Sequence, residues 1–173
     1  AQRWYRVRLG HALAAVRDLR SASGDAAADG LRSEIVADAT EAVRRLDREH
    51  VGRVAAIRAE AEDRLRPSER SAVVRQRAEV AAALSDSRVV VVAGGHVAVL
   101  LNRMRLFDVG AAIAGRWVVA WSAGAMALGE KVVLFHDSPP QGAGTAELLD
   151  LGLGCYDGLV VFPHARRRLR LDD

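Results

Sequence analysis

Val118-Val119-Ala120-Trp121-Ser122-Ala123-Gly124-Ala125-Met126-Ala127-Leu128 runs from a short apolar segment, through a serine among small residues, into an alanine-rich helical pattern. This is the layout of a nucleophile elbow, in which a strand stops, the chain turns sharply at the serine, and a helix starts behind it. Small residues are needed two places before and two places after the serine, because strand and helix backbones approach closely there. Ala120 and Gly124 meet that need. The serine hydroxyl then stands at the carboxyl end of a strand, over amides able to stabilise negative charge. The competing reading makes Ser122 an ordinary helix N-cap in a small-residue turn.

From Arg88 onward the chain alternates strand and helix. Val89 to Ala93 is a continuous β-branched run, as expected of a strand buried on both faces of a parallel sheet. Gly94-Gly95 follows, then helical stretches through Val97 to Met104 and Val109 to Ala114. Trp117 to Trp121 is the next strand and Lys131 to Phe135 another. A Pro- and Gly-containing loop leads to a short helix near Ala146 to Leu151. A last strand is predicted over Gly158 to Phe162, ending at Pro163-His164. Such units argue for an open parallel α/β sheet, whose functional groups gather at the carboxyl ends of the strands. Those ends carry Gly94-Gly95, Ser122, His136-Asp137 and His164, the set an acyl-transfer site requires.

Residues 1–85 read as helix and form a separate segment from the α/β domain at 86–173. Trp4, Val7, Leu9, Leu13, Val16 and Leu19 mark one amphipathic stretch, closed by the breaker-rich Ser21 to Asp25. A longer one runs from Ile35 to Leu65 at spacings of three and four, with Glu41–Arg45 and Glu49–Arg53 as supporting i, i+4 pairs. Pro67-Ser68-Glu69 interrupts it, and Val73 to Leu84 mark a third helix. The long helix suits an antiparallel hairpin or a coiled coil, and the alanines at several seam positions favour an ordinary intramolecular helical layer over both. His11 and His50 have no partners at metal-ligand spacing and are expected as surface or seam residues.

Composition narrows the function classes. Half of the 173 residues are hydrophobic and the formal net charge is +3, with basic and acidic residues interleaved along the chain. That is a solvated-face pattern, not a nucleic-acid stripe, and the exception is the cluster Arg166 to Arg170. Cys155 is the single cysteine, so no internal disulfide forms, and it is expected as a buried, inert thiol. No apolar stretch is long enough to span a membrane and no secretory signal opens the chain, which makes a cytoplasmic location the expectation.

The stretch from about Val89 to Arg166 resembles the peptidase E and cyanophycinase family of serine peptidases. The residues that carry the resemblance are Ala93-Gly94-Gly95, the Ser122-Ala123-Gly124-Ala125 elbow, His136-Asp137-Ser138-Pro139 and Pro163-His164, in that order. The resemblance implies the class I glutamine amidotransferase-like fold, an open parallel sheet of flavodoxin-like type. It implies Ser122 as nucleophile, His164 as general base and Asp137 as the group orienting the imidazole. The amides of Gly94 or Gly95 and of Ala123 would form the oxyanion hole. The substrate would be small and peptide-like, with no cofactor, metal, nucleic acid or membrane involved.

Several residues depart from that pattern. The elbow carries serine where amidotransferase relatives carry cysteine, which disfavours glutamine hydrolysis by a thiolate. His96 follows the glycines and Trp121 precedes the nucleophile; with Arg166 they are candidate substrate-binding residues. Family members begin with strands central to the sheet, whereas helices come first here. The sequence is therefore read as a piece lacking the first strands, or as a variant with a long helical insertion. The alternative function is a non-catalytic relative whose helical half mediates protein interaction or self-association, as a homo-oligomer.

Overall fold

A computed structural model describes residues 1–22, 29–135, 146–163 and 165. The protein is mixed α/β with helix predominating. It divides into two compact units, Ala1–Ala56 and Ile57–Asp173.

In the first unit, helix α1 (Gln2–Ser21) packs against α2 (Asp29–Leu65), with Tyr5 and Arg8 reaching Asp47, Glu49 and His50. Tyr5, Leu9, Val16, Leu46 and His50 are its buried side chains. Tyr5 stacks on His50 with ring centroids 4.0 Å apart and donates its hydroxyl to Asp47 Oδ1 at 2.6 Å. The polar tips are thus held where the apolar bodies pack. His50 is a buried seam residue and His11 an exposed one, as their spacing implies.

The second unit continues through a 3-10 turn (Pro67–Glu69), α3 (Ser71–Ser85), β1 (Val89–Val92), α4 (Val97–Leu106), α5 (Val109–Ile113), β2 (Trp117–Ala120), α6 (Ala123–Leu128), β3 (Lys131–Leu134) and β4 (Glu147–Leu151). Strands β1 and β2 pair in parallel, Val89 opposite Trp117 and Val92 opposite Ala120. One face of this pair, with Val90, Val92, Val118 and Ala120, packs into a core that includes Leu101, Met104, Ile113, Ala123, Met126 and Leu128. The other face carries Val89, Val91, Trp117, Val119 and Trp121, all at least half exposed. The valine run is therefore covered on one face, not on both.

Four further expectations are corrected. The segment before residue 151 is a strand, not a helix: β4 pairs antiparallel with β3, with a bulge at Val132/Val133. The two pairs form separate two-stranded sheets instead of one open parallel sheet, so the amidotransferase-like topology is not reproduced among the described residues. Gly158 to Phe162 joins no ladder; Leu159 accepts one bond from Glu130 N at 3.3 Å, and Gly158 N donates to Glu130 Oε2. An isolated pair of bonds does not order a strand the way a continuous ladder does. Cys155, expected to be buried, is exposed.

Two arginine clusters hold these elements. Arg116 donates through Nε to the carbonyls of Leu84 and Ser87, each at 3.1 Å, and through a terminal nitrogen to Ala112 O at 2.7 Å. It thereby satisfies carbonyls at the ends of α3 and α5 that no helical amide can reach. Asp150, nearly buried on β4, receives both Arg58 and Arg105 on Oδ2, and Leu151 N on Oδ1. Arg105 also donates to Leu151 O at 2.5 Å. Burial and the nearby Arg105 guanidinium lower the proton affinity of Arg58, and Asp150 opposes them. Replacing Asp150 by alanine leaves two guanidiniums facing each other without a carboxylate. We expect this to cost about 2–4 kcal/mol, read from urea unfolding, and a loss below 1 kcal/mol would contradict the assigned role.

Candidate functional site

Ser122 sits between β2 and α6 with φ 52° and ψ −127°. Positive φ is uncommon for any residue with a Cβ. Trp121 O accepts from Gly124 N at 3.0 Å, which closes a four-residue turn with Ser122 at its second position. The dihedrals are those of a type II′ turn, whose second position favours glycine. A side chain is kept at this position against a conformational cost of about 1–3 kcal/mol. It occupies the N-cap position of α6, yet the hydroxyl makes no capping bond, and the residue is exposed. The helix-cap alternative thus lacks the hydrogen bond that would stabilise it.

Two glycines let the turn close. A Cβ on Gly124 would lie 2.4 Å from Val92 O and 2.7 Å from Ala93 O, so the first turn of α6 rests directly on the backbone leaving β1. A Cβ on Gly94 would meet Ser122 Cβ at 3.1 Å and Oγ at 3.2 Å, with Ala123 N at 3.8 Å. The end of β1 and the elbow after β2 are therefore side by side, as adjacent parallel strands require. The opposite end of α6 is closed by the segment after β4. Leu153 N donates to Ala127 O and Cys155 N to Leu128 O, both at 2.8 Å.

Around Ser122 the backbone offers donors without acceptors. Among the described residues, the N–H groups of Gly94, Gly95 and Ala123 have no hydrogen-bond acceptor. Gly94 and Gly95 are exposed, so a ligand atom could reach them. Gly95 has φ 143°, a conformation that side chains rarely adopt. His96 is exposed and caps α4, its Nδ1 accepting from Val99 N at 3.5 Å. Trp121 is half exposed beside the serine.

Ser122, Gly94 and Ala123 are thus brought together, with Gly95, His96 and Trp121 next to them in the chain. His136, Asp137, His164 and Arg166 lie outside the described residues. Among the described residues, Phe135 and Phe162 pack edge to face, with ring centroids 5.5 Å apart. Cys155 is exposed, and desolvation pushes its thiol up, away from thiolate character. Among the described residues no group of three or more His, Cys, Asp or Glu could hold a metal ion, and no helix is long and apolar enough to cross a membrane. Sequence reasoning missed the Asp150 cluster, whose partners lie 45 and 92 residues away.

Comparison with known proteins adds no identity: no family model, curated protein or solved structure matches the chain.

The strain at Ser122 generates a prediction that separates a functional from a structural serine. Ser122→Gly should raise stability by about 1 kcal/mol, the relief of the turn less the extra freedom glycine gains when unfolded. In a thermal melt this is a rise of about 2–4 °C. Gly124→Ala should do the opposite and cost ~2 kcal/mol or more through overpacking against β1. A Ser122→Gly protein less stable than wild type would show that the hydroxyl supports the fold.

Proposed function

We propose that the protein is a serine hydrolase, a peptidase or amidase acting on a small peptide-like substrate, with Ser122 as its nucleophile. One observation carries the reading: a serine held at positive φ, with its hydroxyl exposed and uncapped, beside backbone amides that have no acceptor. A turn that needed only to connect β2 to α6 would be cheaper with glycine. The order of Gly94-Gly95, Ser122, Asp137 and Pro163-His164 along the chain supports the same reading through the resemblance to the peptidase E and cyanophycinase family.

In the proposed reaction Ser122 Oγ attacks the substrate carbonyl and its proton passes to His164, oriented by Asp137. The carbonyl oxygen gains negative charge as the tetrahedral intermediate forms. The amides of Ala123 and of Gly94 or Gly95 donate to it; donors of this kind are each worth about 10²–10³ in rate. Their advantage is preorganisation, because turn geometry aims them before the substrate arrives. His164 then returns the proton to the leaving amine, and water hydrolyses the acyl-enzyme by the same steps. His96, Trp121 and Arg166 are the proposed substrate contacts.

A second reading rests on the helices. Leu31 and Ile35 on α2 are exposed at 62% and 41% respectively, an apolar stripe suited to a partner protein. On that reading the α/β unit is a non-catalytic scaffold. A fluorophosphonate probe separates the two. The hydrolase reading expects covalent labelling of the wild-type chain, none of Ser122→Ala, and labelling slowed about tenfold or more in Gly94→Ala, whose new methyl crowds Oγ. Labelling that persists in Ser122→Ala overturns the nucleophile assignment, and a wild-type chain that is folded yet unlabelled favours the scaffold.

A further inference from the structure

The outer face of the β1–β2 pair is an apolar surface that, Trp121 apart, the proposed chemistry does not use. Parallel register puts Val89 beside Trp117 and Val91 beside Val119, with Trp121 continuing the row. Their exposures are 52%, 79%, 59%, 53% and 51% in that order. No charged side chain interrupts this row. Parallel strands are otherwise found with both faces covered, because the helices that connect them pack on the faces of the sheet. A two-stranded pair is also too small to be stable by itself.

We propose that this face is a dimer interface, covered by the same face of a second copy packed sheet to sheet. Area supports that occupant. Two tryptophans and three valines at these exposures present roughly 600 Å² per copy, given ~150–250 Å² for a buried aromatic side chain. Two such faces reach the ~1,200 Å² at which stable protein interfaces begin. The patch also stands at the upper end of what a monomer ordinarily exposes, about 300–600 Å². Charge supports it as well. A two-fold interface sets each group near its own copy, which penalises a charged patch and suits one with no charge. Facing sheets pack about 10 Å apart through interdigitating side chains, and the two tryptophans are the residue type that most often anchors an interface. The proposal does not depend on the chemistry assigned to Ser122.

Sedimentation velocity of the whole chain over a range of micromolar concentrations tests it. Wild type should sediment as a dimer, with tryptophan emission shifting to the blue as it associates. Trp117→Lys and Val91→Lys should sediment as monomers with unchanged helical circular dichroism. If a lysine prevents folding, the neutral Trp117→Gln should weaken association by at least about tenfold. The dimer proposal is overturned by a wild-type monomer at every concentration. A monomer whose tryptophans are shielded from quencher would mean that the chain covers its own face. Dimers that survive Trp117→Lys and Val91→Lys would place the interface elsewhere and equally overturn it.

Discussion

The candidate site depends on the contact between the first turn of α6 and the backbone leaving β1. Gly124 allows it, since any side chain there would strike Val92 O and Ala93 O. With α6 pressed this close, only a tight turn can join it to β2, and a tight turn of this hand forces positive φ on its second residue. Ser122 occupies that position. The strain on the serine and the exposure of its hydroxyl are consequences of one packing contact. The same contact brings the serine against Gly94, so the elbow and the glycine turn form one site although 28 residues separate them.

The packing around the site is organised to keep α6 in place. A helix of six residues contributes little stability by itself. Here its buried side chains fill the core under β1 and β2, while Leu153 and Cys155 take up its last carbonyls. The bonds from Arg58 and Arg105 to Asp150 fix β4, the strand that leads into Leu153. A chain of ordinary interactions therefore runs from two distant arginines to the turn that presents the serine. The amides of Gly94, Gly95 and Ala123 lie at the end of that chain, and they are the donors that the proposed oxyanion hole would use.

How much was legible in the sequence followed the range of the forces involved. Helices α1 to α3 announced themselves through three- and four-residue spacing, with breakers at Ser21 and Pro67, because helical hydrogen bonds are local. The elbow was legible for the same reason, since its geometry is settled by Trp121 to Gly124 and by small residues nearby. The short helix expected near Ala146 to Leu151 is a strand because of a partner distant from it in the chain. Pairing with β3 makes it a strand, and neither that ladder nor the reach of Arg58 and Arg105 to Asp150 is visible in five residues. The valine run of β1 signals an apolar strand but carries no record of which face its neighbours cover. Asp137, His164 and Arg166 remain sequence-based assignments.

The central claim is that the turn at Ser122 aims its hydroxyl and the neighbouring amides at the same carbonyl. A crystal structure of the chain after reaction with a phosphonate inhibitor tests this most directly. Phosphorus should be bonded to Ser122 Oγ, with the phosphonyl oxygen within about 3.1 Å of Ala123 N and of Gly94 N or Gly95 N. An adduct on another residue, or a phosphonyl oxygen turned to solvent with all three amides unoccupied, would contradict it.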